Sequence, residues 1–493
     1  MKKIRFLIIG VGYHARRIYI PYVVDKNDTE LSALYDLDSQ KKVIEDYLIN
    51  KKLSISAYYT NNSEISDTLT KEEVESLNNI IKEKNINAVI ISTEPLAHFK
   101  YAKWAIDSDL HIVMDKPITT EIDISTKNIK AKKLYEDYLK LKKLYKKKKN
   151  KLVFILQAQR RFHVGYQKVR DLILETSNKT NCPVTSMEVF HSDGMWRLPK
   201  EIIDMDYHPY NQGYGKVSHS GYHSIDIALW FVKASIISPE KKVNEIEVYS
   251  SFLRPVDFFK QITYKDYKKI FPNDDDSLLL NDKELLESSQ LLKTSVTGEI
   301  DAHSIISLKK DGGIITQIGS HLVHNGFSQR GWFNSNYKDL YKGNGRLRHE
   351  SYIIEQGPFQ CVIINAFQSL EIKNELTNPY SVGGEHHFDI HIFRNNSLFP
   401  EYQAYELITM QDLKEVQNTG HSRGHQEEAR RNCVDEFIKA IVNKVPISKQ
   451  ESNFLSHELG TFILSNIYKS AANSYQKKNS VIKSKLPKDL WKI

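Results

Sequence analysis

Residues Ile4 to Ile9 form an apolar run rich in isoleucine, interrupted only by Arg5, that ends at once in Gly10-Val-Gly12-Tyr13-His14-Ala15. A run of that length bounded by glycine predicts a strand buried on both faces. The same unit recurs. Further strands are expected at Leu31 to Tyr35, Ile55 to Tyr59, Ala88 to Ser92, His111 to Met114 and Leu152 to Ala158, with helix-forming segments between them. Strands alternating with helices over 158 residues imply a doubly wound parallel sheet. After Arg161 short strands dominate from Val243 to Leu407, and helices close the chain at about Gln426 to Val442 and Ser456 to Ser474. That order predicts an α+β domain with an open, mostly antiparallel sheet. The expected partition is therefore 1–158 and 159–493, with a charged, weakly patterned insertion at about 264–292.

Composition removes several classes. Apolar residues make up 40% and charged residues 26% of the 493, as in an ordinary globular protein. The longest apolar stretch, Ile225 to Ile237, is interrupted by Asp226 and Lys233, so no membrane span is expected. The N-terminal apolar run lacks a small-residue cleavage site and reads as a strand, not a leader. Cys182, Cys361 and Cys433 are scattered without a CxxC pair, which predicts neither a disulfide framework nor a thiolate metal site, and a cytoplasmic location. The net charge of +8 comes largely from lysines between Lys127 and Lys151, where Leu134, Tyr138, Leu141 and Tyr145 recur at helical spacing. These lysines read as the solvated face of an amphipathic helix, not a nucleic-acid surface.

The glycine run after the first strand has the context that gives a G-x-G-x-x-G/A pattern meaning: strand before, helix after. Gly10 permits the tight turn, Gly12 allows close approach of a pyrophosphate, and Ala15 is small enough for helix–strand packing. Asp36 lies 21 residues beyond Ala15 at the end of the second strand, where a carboxylate accepts ribose hydroxyls and repels a 2′-phosphate. NAD is expected over NADP, although Lys41 and Lys42 stand nearby.

Gly213 to Trp230 carries the remaining chemistry. A helix from about Ser218 would align His219, His223, Asp226 and Trp230 on one face. Such a cluster can move a proton, bind a metal ion or pair internally, and the spacing alone leaves these open.

Three segments resemble the Gfo/Idh/MocA oxidoreductases: Thr93-Glu-Pro95-Leu-Ala-His98 beside the cofactor turn, Asp115-Lys116-Pro117, and Gly213 to Trp230. Gln159-Arg160-Arg161-Phe162 is similar to the family's entry into its second domain. The resemblance implies hydride transfer between a nicotinamide and a hydroxyl or keto carbon of a sugar, polyol or sugar derivative. It assigns cofactor contacts to Gly10, Gly12, Tyr13, His14, Asp36, Thr93, Pro95, His98, Asp115 and Lys116. Lys116 corresponds to the lysine at the reacting oxygen and His223 to the acid–base histidine. His219 replaces the usual aspartate and would modulate the pair, lowering the pKa of His223. Arg160, Arg161, Trp196 and Asp226 are the expected substrate contacts, no metal is expected, and the open sheet implies a homo-oligomer, dimer or tetramer. Two other outcomes share the fold: a redox-neutral NAD-using epimerase or glycosidase, and a non-catalytic dinucleotide sensor.

Overall fold

The computed structural model describes residues 3–204, 210–271, 297–328, 346–369, 378–417, 425–487 and 490. Among these, two sheets organise the chain. The first contains β1 (Ile4–Ile9), β2 (Thr29–Leu37), β3 (Ser56–Thr60), β4 (Ala88–Ile91), β5 (His111–Met114) and β6 (Phe154–Leu156). All its pairings are parallel and the order is β3-β2-β1-β4-β5-β6. The order reverses beside β1, so the carboxyl ends of β1 and β4 part there and leave the crevice in which open α/β sheets bind ligands.

The second sheet has nine strands: β7 (Ser186–Ser192), β8 (Glu245–Leu253), β9 (Asp301–Lys310), β10 (Gly313–Val323), β11 (Leu347–Gln356), β12 (Gln360–Ser369), β13 (Asp389–Arg394), β14 (Tyr405–Thr409) and β15 (Ile482–Lys485). Its pairings are antiparallel except β7 with β10. Strands such as Glu245–Leu253 alternate buried and more exposed positions, as one covered face requires. The doubly wound sheet followed by an open, mostly antiparallel one is the predicted architecture.

Two long helices tie the layers together. The lysine-rich segment is the helix Asn128–Lys148, with Leu134, Tyr138, Leu141 and Tyr145 fully buried. Most of its lysines face outward as expected, but Lys142 is buried and pairs with Glu458 at 2.6 Å. Glu458 opens the helix Glu458–Tyr475, which packs against the lysine-rich one. Helix His425–Val442 returns to the first sheet, where Ala429, Cys433, Val434 and Phe437 join Phe6, Ile8 and Ile18 in one core.

Of the expected insertion, Thr263 caps a short helix, Tyr264–Ile270, whose Tyr267 is buried. Residues 272–292 lie outside the described residues. No helix among those described is long and apolar enough to cross a membrane.

Candidate active site

A cavity of about 1080 Å³ opens between the two sheets. Its first wall is the carboxyl edge of the parallel sheet. Gly10 has φ +85°, and a Cβ there would stand 2.6 Å from the Ser92 carbonyl carbon, so only glycine fits between these two strand ends. Gly12 is the reverse case. Nothing lies within 4 Å of where its Cβ would be, and that open space faces the cavity. The chain beyond it winds as a π-turn, Ala15–Tyr19, before the helix Ile20–Asp25. Such turns widen a helix locally and occur often at functional sites. Here the Tyr19 hydroxyl donates to Asp115, which also accepts from Ser92 Oγ at 2.6 Å.

Asp36 closes the nucleotide loop. Its carboxylate accepts from Val11 N–H at 2.6 Å and Leu37 N–H at 2.7 Å, and burial raises its pKa against those two bonds. Each oxygen retains a lone pair for a ribose hydroxyl. Tyr13, His14, Thr93 and Pro95 also line the cavity. His98 does not. It is fully buried, with Nδ1 at 2.8 Å from the Pro117 carbonyl and Nε2 at 3.0 Å from that of Thr93, so it fastens the Thr93 turn to the Lys116-Pro117 turn. The open space at Gly12, the free lone pairs of Asp36 and the turn at Thr93 fit an adenine dinucleotide along this edge.

Lys116 and His223 meet deeper in the cavity. Lys116 Nζ donates to the His219 carbonyl at 2.5 Å. Burial lowers its pKa to about 8, against the pull of Asp115, Asp193 and Glu94. His223 is 8% exposed, and its Nε2 lies 3.2 Å from the Gln159 amide nitrogen. Its Nδ1 has no partner among the described residues. Burial first, then Lys116, Arg160, Arg430 and His191, hold its pKa well below 6.5. The direction is the one expected from the sequence, but desolvation and the neighbouring lysine and arginines supply it.

The His219 helix differs from expectation. The helix begins at Gly221, not Ser218. Residues Lys216 to Ser220 form turns instead, with Gly221 N–H bonded to the Lys216 carbonyl and Lys216 N–H to the Glu299 carbonyl. A Cβ at Gly215 would stand 2.0 Å from the Glu299 carbonyl oxygen, so this turn is packed against a distant strand entry. His219 thus stands before the helix, on the cavity wall, with its ring edge-on to Tyr214 at 5.3 Å.

Three expected substrate contacts are corrected. Arg161 and Asp226 do not line the cavity. They pair with each other in the core, Nε and Nη2 reaching the carboxylate at 2.9 and 2.6 Å, and His457 Nδ1 adds a third contact at 3.1 Å. A carboxylate occupied in this way cannot serve as a ligand for a metal shared with His219 and His223. Trp196 points away from the cavity, between Phe271, at 5.8 Å, and Tyr267. Its neighbours Met195 and Arg197 line the wall instead. Arg160 does reach the cavity, with Nη2 on Glu350 at 2.6 Å and Nη1 on Ser224 at 3.0 Å. Of the aromatic loop before Gly213, Tyr207, His208 and Pro209 lie outside the described residues.

Several wall residues carried no local signal in the sequence: His191, Asp193, His324, Arg346 and Arg348; Gln159, quoted in a motif without a role, joins them there. Asp193 collects a buried set of cations. Its Oδ2 accepts from Lys216 Nζ and Ser220 Oγ, both at 2.6 Å, and Lys216 also reaches His191 Nδ1 at 2.7 Å. These cations hold the Asp193 carboxyl well below its usual range despite burial, and burial lowers Lys216 to about 8.

Fold and site together define a Rossmann-type sheet joined to an open-sheet domain, with one cavity between them. Residues 4–154 match the model of the Gfo/Idh/MocA oxidoreductase family, described as an NAD-binding Rossmann fold. No curated protein sequence matches the chain. Solved structures resemble it over both sheets. An oxidoreductase from Agrobacterium radiobacter in complex with NAD+, L-tartaric acid and magnesium aligns with TM-score 0.56 and 11% identity over 98% of each chain. An aldose–aldose oxidoreductase from Caulobacter crescentus complexed with glycerol aligns with TM-score 0.54 and 13% identity over 98% of this chain and 100% of that one. A scyllo-inositol dehydrogenase from Lactobacillus casei gives TM-score 0.52 and 12% identity over 98% of each. At these identities the likeness is one of fold.

Proposed function

We propose that the protein is an NAD-dependent dehydrogenase acting on a CH–OH carbon of a sugar, polyol or sugar derivative. Residues 1–158 would hold the dinucleotide and 159–493 would supply the substrate wall. The observation that carries this reading is that Gly12, Asp36, Lys116 and His223 all open on one cavity. The match of residues 4–154 to an oxidoreductase family model supports it.

The chemistry follows from the protonation states. When bound, the nicotinamide would exchange the hydride. The hydroxyl proton needs an acceptor, and burial keeps His223 neutral on the cavity wall, able to take it. Lys116 would place a positive charge beside the same oxygen and stabilise developing alkoxide character. Gln159 orients the His223 ring through Nε2. His219 acts on the pair by its backbone, since its carbonyl fixes Lys116 Nζ.

Titration of the purified protein with NADH and NADPH, read by energy transfer from tryptophan, tests the cofactor. NADH is expected to bind tighter, because Asp36 would repel a 2′-phosphate. Tighter NADPH would point to Arg16 for that phosphate, since its Nη1 has no acceptor among the described residues and Asp36 feels its charge. Binding of neither, in protein free of retained dinucleotide, would sink the reading.

The pH profile tests the pair. Because His223 is depressed far below 6.5, kcat/KM for oxidation should be flat through neutrality. It should fall above about pH 8, where Lys116 loses its proton and with it the charge at the oxygen. Lys116→Arg keeps a charge at every accessible pH and should remove that alkaline limb at a lower absolute rate. A kcat/KM that keeps rising through the pKa of Lys116 would exclude this role for the lysine.

A further inference from the structure

The parallel-sheet edge accounts for the dinucleotide end of the cavity; the opposite wall, built around β7, β10 and β11, does not belong to it. That wall presents Arg160, Arg346 and Arg348 together. Among the described residues one carboxylate lines the cavity beside them, Asp193. Asp193 is already engaged, with Oδ2 held by Lys216 and Ser220 and Oδ1 by Arg346 at 3.2 Å. The other acids nearby lie behind the surface. Glu350 is shared by Arg160, Arg348 and the Tyr166 hydroxyl. Glu201 accepts the Leu198 N–H at 2.7 Å, and Asp301 the His324 N–H at 2.9 Å. Glu385 and Glu427 also line the cavity, on a separate rim with His425 and Arg430.

The histidines on this wall add no acceptor charge, and burial keeps His191 and His324 neutral. Among the described residues, charge of one sign is therefore in excess at this surface. Arg348 registers it: burial and the neighbouring Arg160 and Arg346 push its pKa down to about 9. Arg160 Nε is a buried donor with no acceptor among the described residues. A neutral polyol would leave that excess uncompensated in a desolvated site, which is costly.

The geometry points to a substrate that carries its own oxyanion, a carboxylate or a phosphate, seated on Arg160, Arg346 and Arg348 while its reacting hydroxyl lies at Lys116 and His223. This inference rests on the dehydrogenase reading and narrows it to a sugar acid or sugar phosphate. Guanidinium forks match both oxyanions, often through two parallel hydrogen bonds.

Calorimetric titration of the protein, with and without saturating NADH, using D-glucuronate, D-glucose 6-phosphate and D-glucose distinguishes the sources. At low ionic strength one of the two anions should bind at least about tenfold tighter than glucose, as charge-assisted hydrogen bonds require. Which anion it is identifies the group. The preference should weaken with added salt, and Arg346→Gln and Arg348→Gln should abolish it. Arg348→Gln leaves Glu350 with Arg160 and Tyr166, so the fold keeps its buried pair. Glucose binding as tightly as both anions, neither anion binding at millimolar concentration, or a preference surviving both substitutions overturns the inference. NADH binding depends on the Gly10–Asp36 edge and reports separately, so its failure sinks the dehydrogenase reading and is told apart from failure of the anion seat.

Discussion

Replacing His223 by alanine is expected to lower kcat by about 10²- to 10⁴-fold, the usual contribution of a positioned general base. In free energy that is about 3 to 5 kcal/mol of barrier, at roughly 1.4 kcal/mol for each tenfold. NADH affinity should stay near the original, since the dinucleotide contacts lie on the Gly10–Asp36 edge. Two effects make the result interpretable. The imidazole is buried, so its loss also orphans the Gln159 amide and should cost about 1–3 kcal/mol of stability. The protein must therefore be assayed well below its unfolding midpoint. Steady-state NADH formation with an accepted alcohol is the readout. A kcat within a few fold of the original would show that another group takes the proton, with His219 the next candidate on the same wall.

The second large effect concerns stability and not catalysis. Asp226→Ala should destabilise the fold by about 3–5 kcal/mol, because it leaves the Arg161 guanidinium buried and uncompensated. Arg161 and Asp226 are 4% and 3% exposed at their side chains, so solvent screens neither. The remaining partners of Arg161, the Glu451 carbonyl and Ser456 Oγ at 2.8 Å, are neutral and cannot replace the charge. The Asp226 carboxyl is held far below its unfolded value by Arg161 and His457. Its stabilisation is therefore present above the unfolded pKa, about 4, and is lost only as pH falls toward the folded one. Urea unfolding with an unchanged m-value would isolate the effect. The KM of the surviving folded protein should not move, since neither residue lines the cavity; a raised KM with unchanged stability would restore Asp226 to the substrate site.

What the chain disclosed about itself depended on range. The glycine turn, Asp36 and Lys116 were legible because each follows its own strand at short range, and the parallel order carries all three to one edge. The lysine-rich helix was legible from its four buried apolar positions. The start of the His223 helix was not. Its first turn is diverted by Glu299, some eighty residues away, and no local periodicity encodes that. Arg161 and Asp226 were assigned to the substrate for the same reason, since polar residues in a motif look alike whether they face a ligand or each other. The arginine wall was the least visible part. Arg346 and Arg348 lie at the start of β11 and Asp193 just past β7, and only the pairing of those two strands brings them together.

Helix His425–Val442 carries a consequence for the order in which this protein is made. By the time Leu156 leaves the ribosome, every strand of the parallel sheet has been synthesised. The face bearing Phe6 and Ile8 is then covered only in part, by residues such as Ile18 and Ile44, because Phe437, 5.9 Å from Phe6 between ring centroids, is supplied much later in the chain. The parallel sheet is thus translated well before the helix that completes its cover. Synthesis and sealing of that sheet are separated by most of the chain.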